Sequence, residues 1–196
     1  MNRLGCLLAG ALVLAGCASA PVHYYTLVPS VSGAASVAGS FQFELTPVAI
    51  PPQVDQPQLA VREGEQSIAL LDGERWIAPL ADEVRGALSV GLSRRLGVED
   101  AAGLPLGNLP RVRIKVDMRR FDSRPGGYVL DEAVWTLHLL RSGVALTCVT
   151  RLHRPVGADY SALVTGHQQA LAALAAKVAL VVPAVADGRV PACPGD

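Results

Sequence analysis

The chain has 196 residues, with 17 Lys and Arg balanced by 17 Asp and Glu, so its formal net charge is zero. A hydrophobic fraction of 51% excludes an intrinsically disordered chain. The balanced charge leaves no basic footprint for nucleic acid, and the length suits one domain with appendages.

Arg3 precedes a twelve-residue apolar run, Leu4 to Ala15, too short to span a membrane and of the length of a signal-peptide core. The run ends in Leu14-Ala15-Gly16-Cys17, which looks like a bacterial lipobox. Residues 1–16 are then a lipoprotein signal peptide and Cys17 is the lipid-attachment site; an ordinary secretory signal ending near a cysteine is the alternative. Several acyl chains anchor firmly where a single one binds marginally. Ala18 carries no Asp retention signal, which by resemblance to the Gram-negative sorting rule implies delivery to the outer membrane, with the body on its periplasmic face. No second apolar run of spanning length is expected downstream. Residues 17–23 form a lipidated tether, 24–184 an α+β domain and 185–196 a C-terminal tail. From Cys17 to Tyr24 the chain reaches at most roughly 25 Å, so a first strand at Tyr24-Tyr25-Thr26-Leu27 holds the body close to the bilayer.

Small polar residues over 30–40 predict a loop, and Phe41, Phe43 and Leu45 alternate with polar neighbours as a half-buried strand. Pro47, Pro51, Pro52 and Pro57 keep Val48 to Gln58 extended but irregular. Leu59–Arg62 and Ser67–Leu71 flank Glu63-Gly64-Glu65-Gln66 as a hairpin. Pro79 to Leu96 has helix grammar: Asp82 and Glu83 early, Arg94 and Arg95 late, and Gly97 as terminator. Its apolar stripe is Leu80, Val84, Ala87, Leu88, Leu92 and Leu96.

A three-stranded meander comes next, from Val112, Ile114, Val116 and Met118, through Tyr128 to Arg141, to Val144–Arg154, with Ser142-Gly143 as a two-residue turn. A second helix starts after Asp159 as N-cap, runs from Tyr160 to about Val182, and stops at Pro183. The order predicts an α+β fold, an antiparallel sheet with two main helices packed on one face.

After the signal and the anchor, Cys148 and Cys193 remain. In an oxidising compartment they are expected as a disulfide, with a buried Cys148 and a free tail thiol as the alternative. The histidines His23, His138, His153 and His167 lack metal-ligand spacing, so neither a metal site nor a cofactor is predicted. Asp131-Glu132 and Asp82-Glu83 point apart and read as solvent-facing or capping groups. Arg111, Arg113, Lys115 and Arg119 share one strand face, a solvated face with Asp117 compensating or a contact for an acidic partner or lipid headgroups. His167 reads as a helix residue at the core margin, and no nucleophile–base motif supports an enzyme.

Three stretches carry a family resemblance. Tyr24-Tyr25-Thr26-Leu27, Val48-Ala49-Ile50-Pro51-Pro52-Gln53-Val54-Asp55-Gln56-Pro57-Gln58-Leu59 and Glu74-Arg75-Trp76-Ile77-Ala78-Pro79-Leu80 resemble the motifs of the PqiC/YmbA lipoproteins, the ABC-type transport auxiliary lipoproteins. Gln56 stands where that family usually has Arg, and Ile77-Ala78 also departs from its pattern. The resemblance implies a noncatalytic outer-membrane docking subunit of an MCE-type (mammalian cell entry) lipid-transport system. Its implied partners are an MCE-domain protein that spans the periplasm, outer-membrane lipid, and further copies in a homo-oligomeric ring. Asp55, Arg75 and Trp76 are the candidate partner-binding residues. Each has a structural reading too: Asp55 bonding nearby backbone amides, and Trp76 stapling onto Leu80 or Val84. The alternative function is a periplasmic lipoprotein that itself holds a phospholipid in an apolar groove between sheet and helices.

Overall fold

The computed structural model describes residues 21–30 and 39–195; the signal peptide and Cys17 lie outside the described residues. The elements are β1 (His23–Tyr25), β2 (Gln42–Leu45), β3 (Gln58–Arg62), β4 (Ile68–Trp76), α1 (Leu80–Leu96), β5 (Arg111–Arg124), β6 (Tyr128–Leu139), β7 (Ala145–Pro155) and α2 (Tyr160–Ala186). The fold is α+β. A four-stranded sheet runs β2-β5-β6-β7 and a three-stranded sheet β1-β4-β3.

The β5-β6-β7 meander is antiparallel, but both sheets are mixed: β2 joins β5, and β1 joins β4, in parallel. Parallel pairing needs a long connection, and the sequence supplies one, since β3, β4 and α1 all lie between β2 and β5.

On α1, Leu80, Val84, Ala87, Leu88 and Leu92 are buried, and Gly97 ends the helix in the left-handed region (φ 69°), its N–H bonded to the Ser93 carbonyl. α2 lies on the meander with α1 packed along it. With 27 residues and an 18-residue stretch of mean hydropathy 1.9, α2 is long and apolar enough to cross a membrane by length and composition, which corrects the expectation that no second such run exists. Leu163, Leu171, Leu174, Val178 and Val182 are nonetheless buried in the domain core, the placement of a core helix. α2 also continues through Pro183 to Ala186. The proline sits in the final turn, where its missing N–H deprives the Ala179 carbonyl of its i+4 donor, and the turn beyond it packs Val185 into the core. The β6–β7 connection spans five residues, 140–144, rather than two: Leu139 N–H meets the Val144 carbonyl, and Arg141 and Gly143 take positive φ.

One irregularity re-aims a whole strand end. In β5, Val112, Ile114, Val116 and Met118 are buried, and the register then shifts between Met118 and Arg120. A bulge flips the parity of the residues beyond it, so Phe121 and Ser123 turn toward the helices.

Candidate functional site at the tether-side junction

The three resemblance motifs converge at one end of the small sheet. Tyr24 registers with Arg75 and Tyr25 with Trp76. Ile77 N–H bonds the Tyr25 carbonyl and Trp76 N–H the Pro57 carbonyl, both at 2.9 Å. The backbone thus ties the entry strand, the Val-Asp-Gln-Pro turn and the start of α1 into one unit.

The chain entry is clamped from two helices. Glu83 of α1, only 4% exposed, accepts from Thr26 Oγ1 and Leu27 N–H at 2.7 Å each. Gln168 of α2 donates to the Thr26 carbonyl at 3.0 Å. Glu83 is therefore not a solvent-facing group: its carboxyl oxygen accepts from two donors of the incoming chain that would otherwise be orphaned. Beside it, Glu74 bonds His23 at 3.0 Å. Burial pushes the Glu74 carboxyl up, but hydrogen bonds from Tyr25 and His23 and the His23 charge outweigh it and leave it lowered. The same Tyr25–Glu74 hydrogen bond, with burial, pushes the Tyr25 phenol up to about 12.

Asp55, Gln56, Pro57, Trp76, Ile77, Ala78, Pro79 and Leu80 line a cleft of about 360 Å³. Asp55 is exposed on its rim, and among the described residues its carboxylate has no hydrogen-bond partner, contrary to the expected bonds to nearby amides. Trp76 is 6% exposed and packs in one cluster with Leu80 and Val84, its ring edge-on to Phe121. The indole is core, as the stapling reading has it, and forms a floor under the cleft. Arg75 is half-buried and donates from Nε to the Asp72 carbonyl at 3.3 Å.

Behind Phe121 lies a feature the sequence did not reveal. His167 bonds Ser123 Oγ through Nε2 at 2.9 Å and Asp131 Oδ1 through Nδ1 at 2.8 Å. Its ring stacks on Phe121 at 3.8 Å. The order is that of a nucleophile, base and orienting carboxylate, but Ser123 is 7% exposed and the other two 1%. None of the three lines any of the described clefts. The chain of bonds ties α2 to β5 and β6. His167 is at the core centre, not its margin, and Asp131 is buried, not solvent-facing. The one signal in the sequence was a histidine on an otherwise apolar helix face.

Elsewhere, Cys148 of β7 and Cys193 of the tail are joined in a disulfide with a Cα–Cα distance of 5.7 Å, and Lys177 of α2 donates to the Gly195 carbonyl. Of the basic row on β5, Arg113 pairs with Glu44, and Arg119 with Asp117 at 3.0 Å. Arg111 is buried instead. No group of three or more His, Cys, Asp or Glu suited to a metal occurs among the described residues.

This mixed-sheet α+β module is a known fold. A solved structure described as an uncharacterized protein matches with a TM-score of 0.67 at 21% identity, over 83% of this chain and 99% of that one. Protein XCC0632 from Xanthomonas campestris matches with a TM-score of 0.64 at 16% identity, over 85% and 99%. A family model, the ABC-type transport auxiliary lipoprotein component, matches residues 25–179, and the chain belongs to that family. It is also 27% identical to the intermembrane transport lipoprotein PqiC of Escherichia coli K12, over 65% of this chain and 70% of that one, and equally to its counterpart in Shigella flexneri.

Proposed function

We propose that this chain is a noncatalytic outer-membrane lipoprotein, held through acylated Cys17 on the periplasmic face, that docks an MCE-type ABC lipid-transport system. The observation that carries the reading is the clamped entry strand. Glu83 and Gln168 fix Thr26 and Leu27 to both helices, so an anchor a few residues upstream holds a body of fixed position, and a partner from the other membrane has to come to it. Family membership and the intermembrane transport named for the PqiC relatives support that division of labour. Asp55, exposed and unpaired on the cleft rim, offers the partner a carboxylate whose desolvation is not already spent on an internal bond.

The phospholipid-groove reading is less well supported. Leu27, Phe43, Trp135, Leu137 and Leu171 fill the layer between sheet and helices, each at most 1% exposed. The cleft between α1 and α2, about 400 Å³ and lined by Leu27, Ala87, Gly91 and Gln168 among others, opens at the surface rather than between the layers.

A photoreactive amino acid at position 55 of the full chain, activated in cells, is expected to capture a periplasm-spanning protein with MCE domains. The Cys17→Ala variant is expected to be exported, to leave the membrane fraction and to lose the capture. Crosslinks that reach only other copies of this chain would leave a ring without the docking role and refute the proposal.

A further inference from the structure

The paired ends of β1 and β4 have two faces. His23, Tyr25, Glu74 and Trp76 share the inner one, as the His23–Glu74 bond and the buried Trp76 show. The alternation of a strand puts Tyr24, Arg75 and Ile77 on the outer one, continued by Val22 just before β1. This outer face is apolar and uncovered: Tyr24 is 59% exposed, Ile77 61% and Val22 40%. Among the described residues the only hydrogen bond of Arg75 is from Nε to Asp72, so most of its guanidinium fork is free.

We infer that this face is a membrane seat, resting on the bilayer that holds the anchor and setting the orientation of the domain upon it. The inference rests on the reading of Cys17 as the acylated residue. Its occupant is indicated by the length of chain outside the described residues. Pro21 is four residues from Cys17, so at most roughly 14 Å of backbone separates the acyl chains from the start of the face. The chemistry fits the same occupant. A tyrosine with an apolar body and a polar tip suits the headgroup level, Val22 and Ile77 suit the layer below it, and a free guanidinium suits lipid phosphate. Four side chains are too few to hold a protein on a membrane alone. Behind a short tether, however, they act at high effective concentration, so weak contacts suffice to orient the domain that the anchor retains. The seat is stiff because the Glu83 and Gln168 clamp fixes the next two residues to the helices.

The test uses the full lipidated chain in vesicles of phosphatidylethanolamine and phosphatidylglycerol. An environment-sensitive fluorophore is placed on Tyr24→Cys or Ile77→Cys. The control is Leu104→Cys, 60% exposed, in the segment whose carbonyl accepts from Arg111 at the start of β5. Nitroxide-bearing lipids are expected to quench the probes at 24 and 77 at least about twofold more than the probe at 104. Equal, weak quenching at all three sites in a chain that still pellets with the vesicles would overturn the seat and leave the anchor standing. A probe that responds to protein density but not to nitroxide lipid would assign the face to a second copy and overturn the seat as well. A chain that stays in the supernatant would overturn the anchor, and the seat with it.

Discussion

At the start of β5 the Arg111 guanidinium, 2% exposed, donates twice to Gln42 Oε1, once to Glu44, and to the carbonyls of Leu104 and Pro105. Near the other end of that strand, on its neighbour β6, the Asp131 carboxylate, 1% exposed, bonds His167 through Oδ1 while its Oδ2 has no hydrogen-bond partner among the described residues. Both bury an ionic group, by opposite means. Arg111 has its five donors matched because a loop and the edge strand β2 bend their acceptors around it. Asp131 is held between two rigid elements, β6 and α2, that bring it one donor. A buried charge is tolerated where flexible backbone can close over it, and stays under-satisfied where only packed secondary structure surrounds it.

Breaking the satisfied end has the larger cost. Arg111→Met leaves Gln42 Oε1 and the Leu104 and Pro105 carbonyls without their donor and Glu44 with Arg113 alone, and a loss of about 3–5 kcal/mol is expected from urea unfolding, the scale for removing one partner of a buried ionic group. Arg111→Lys restores the charge without the planar fork and is expected to recover only part of it. A wild-type midpoint in Arg111→Met would mean that the loop re-closes over the gap and that the comparison has no energetic content. At the other end, His167→Leu removes the one donor to Asp131 and the partner of Ser123. The expected loss is about 2–3 kcal/mol, smaller because Asp131 can take up a proton and shed its charge. A loss equal to that of Arg111→Met would erase the asymmetry.

The parts of this contrast differ in how far the sequence displays them. α1 is legible, since its apolar stripe, terminal charges and Gly97 are local signals that agree. So is the meander, whose alternation is a period-two pattern. The burial of Asp131 and Glu83 is not, because each is covered by residues 36 or more positions away. Neighbouring carboxylates look the same whether or not something folds over them. The bulge before Arg120 is equally silent: the basic run continues unbroken through it, yet it decides that Ser123 and not Asp122 meets His167. Where β1 and β4 meet the start of α1, Asp55 is exposed and Arg75 half-buried. Trp76 takes the stapling place beside Leu80 and Val84, and Phe121, 45 positions on, supplies the ring that receives it, which no local pattern shows.

The smallest expected effect isolates the under-satisfied carboxylate itself. Burial pushes the Asp131 pKa up; the charge and hydrogen bond of His167 oppose the shift without cancelling it. The folded chain therefore holds this proton more tightly than the unfolded chain. By linkage, stability falls as pH rises from the ordinary value of 3.8 through the raised one, and the penalty is complete above it. Glu74 and Asp159 run the opposite way. Their folded pKa values are lowered, so their contributions are present above the ordinary values and lost as pH falls through the folded ones. The wild-type curve mixes these slopes, but Asp131→Asn removes only one. An uncharged amide still accepts from His167 Nδ1, so the variant is expected within about 1 kcal/mol of wild type at neutral pH. The difference between the two stabilities should move in the variant's favour as pH climbs from 4, then level off. Parallel curves would show Asp131 to carry the same proton occupancy folded and unfolded, and the two ends of the β5–β6 pair would then differ in geometry alone.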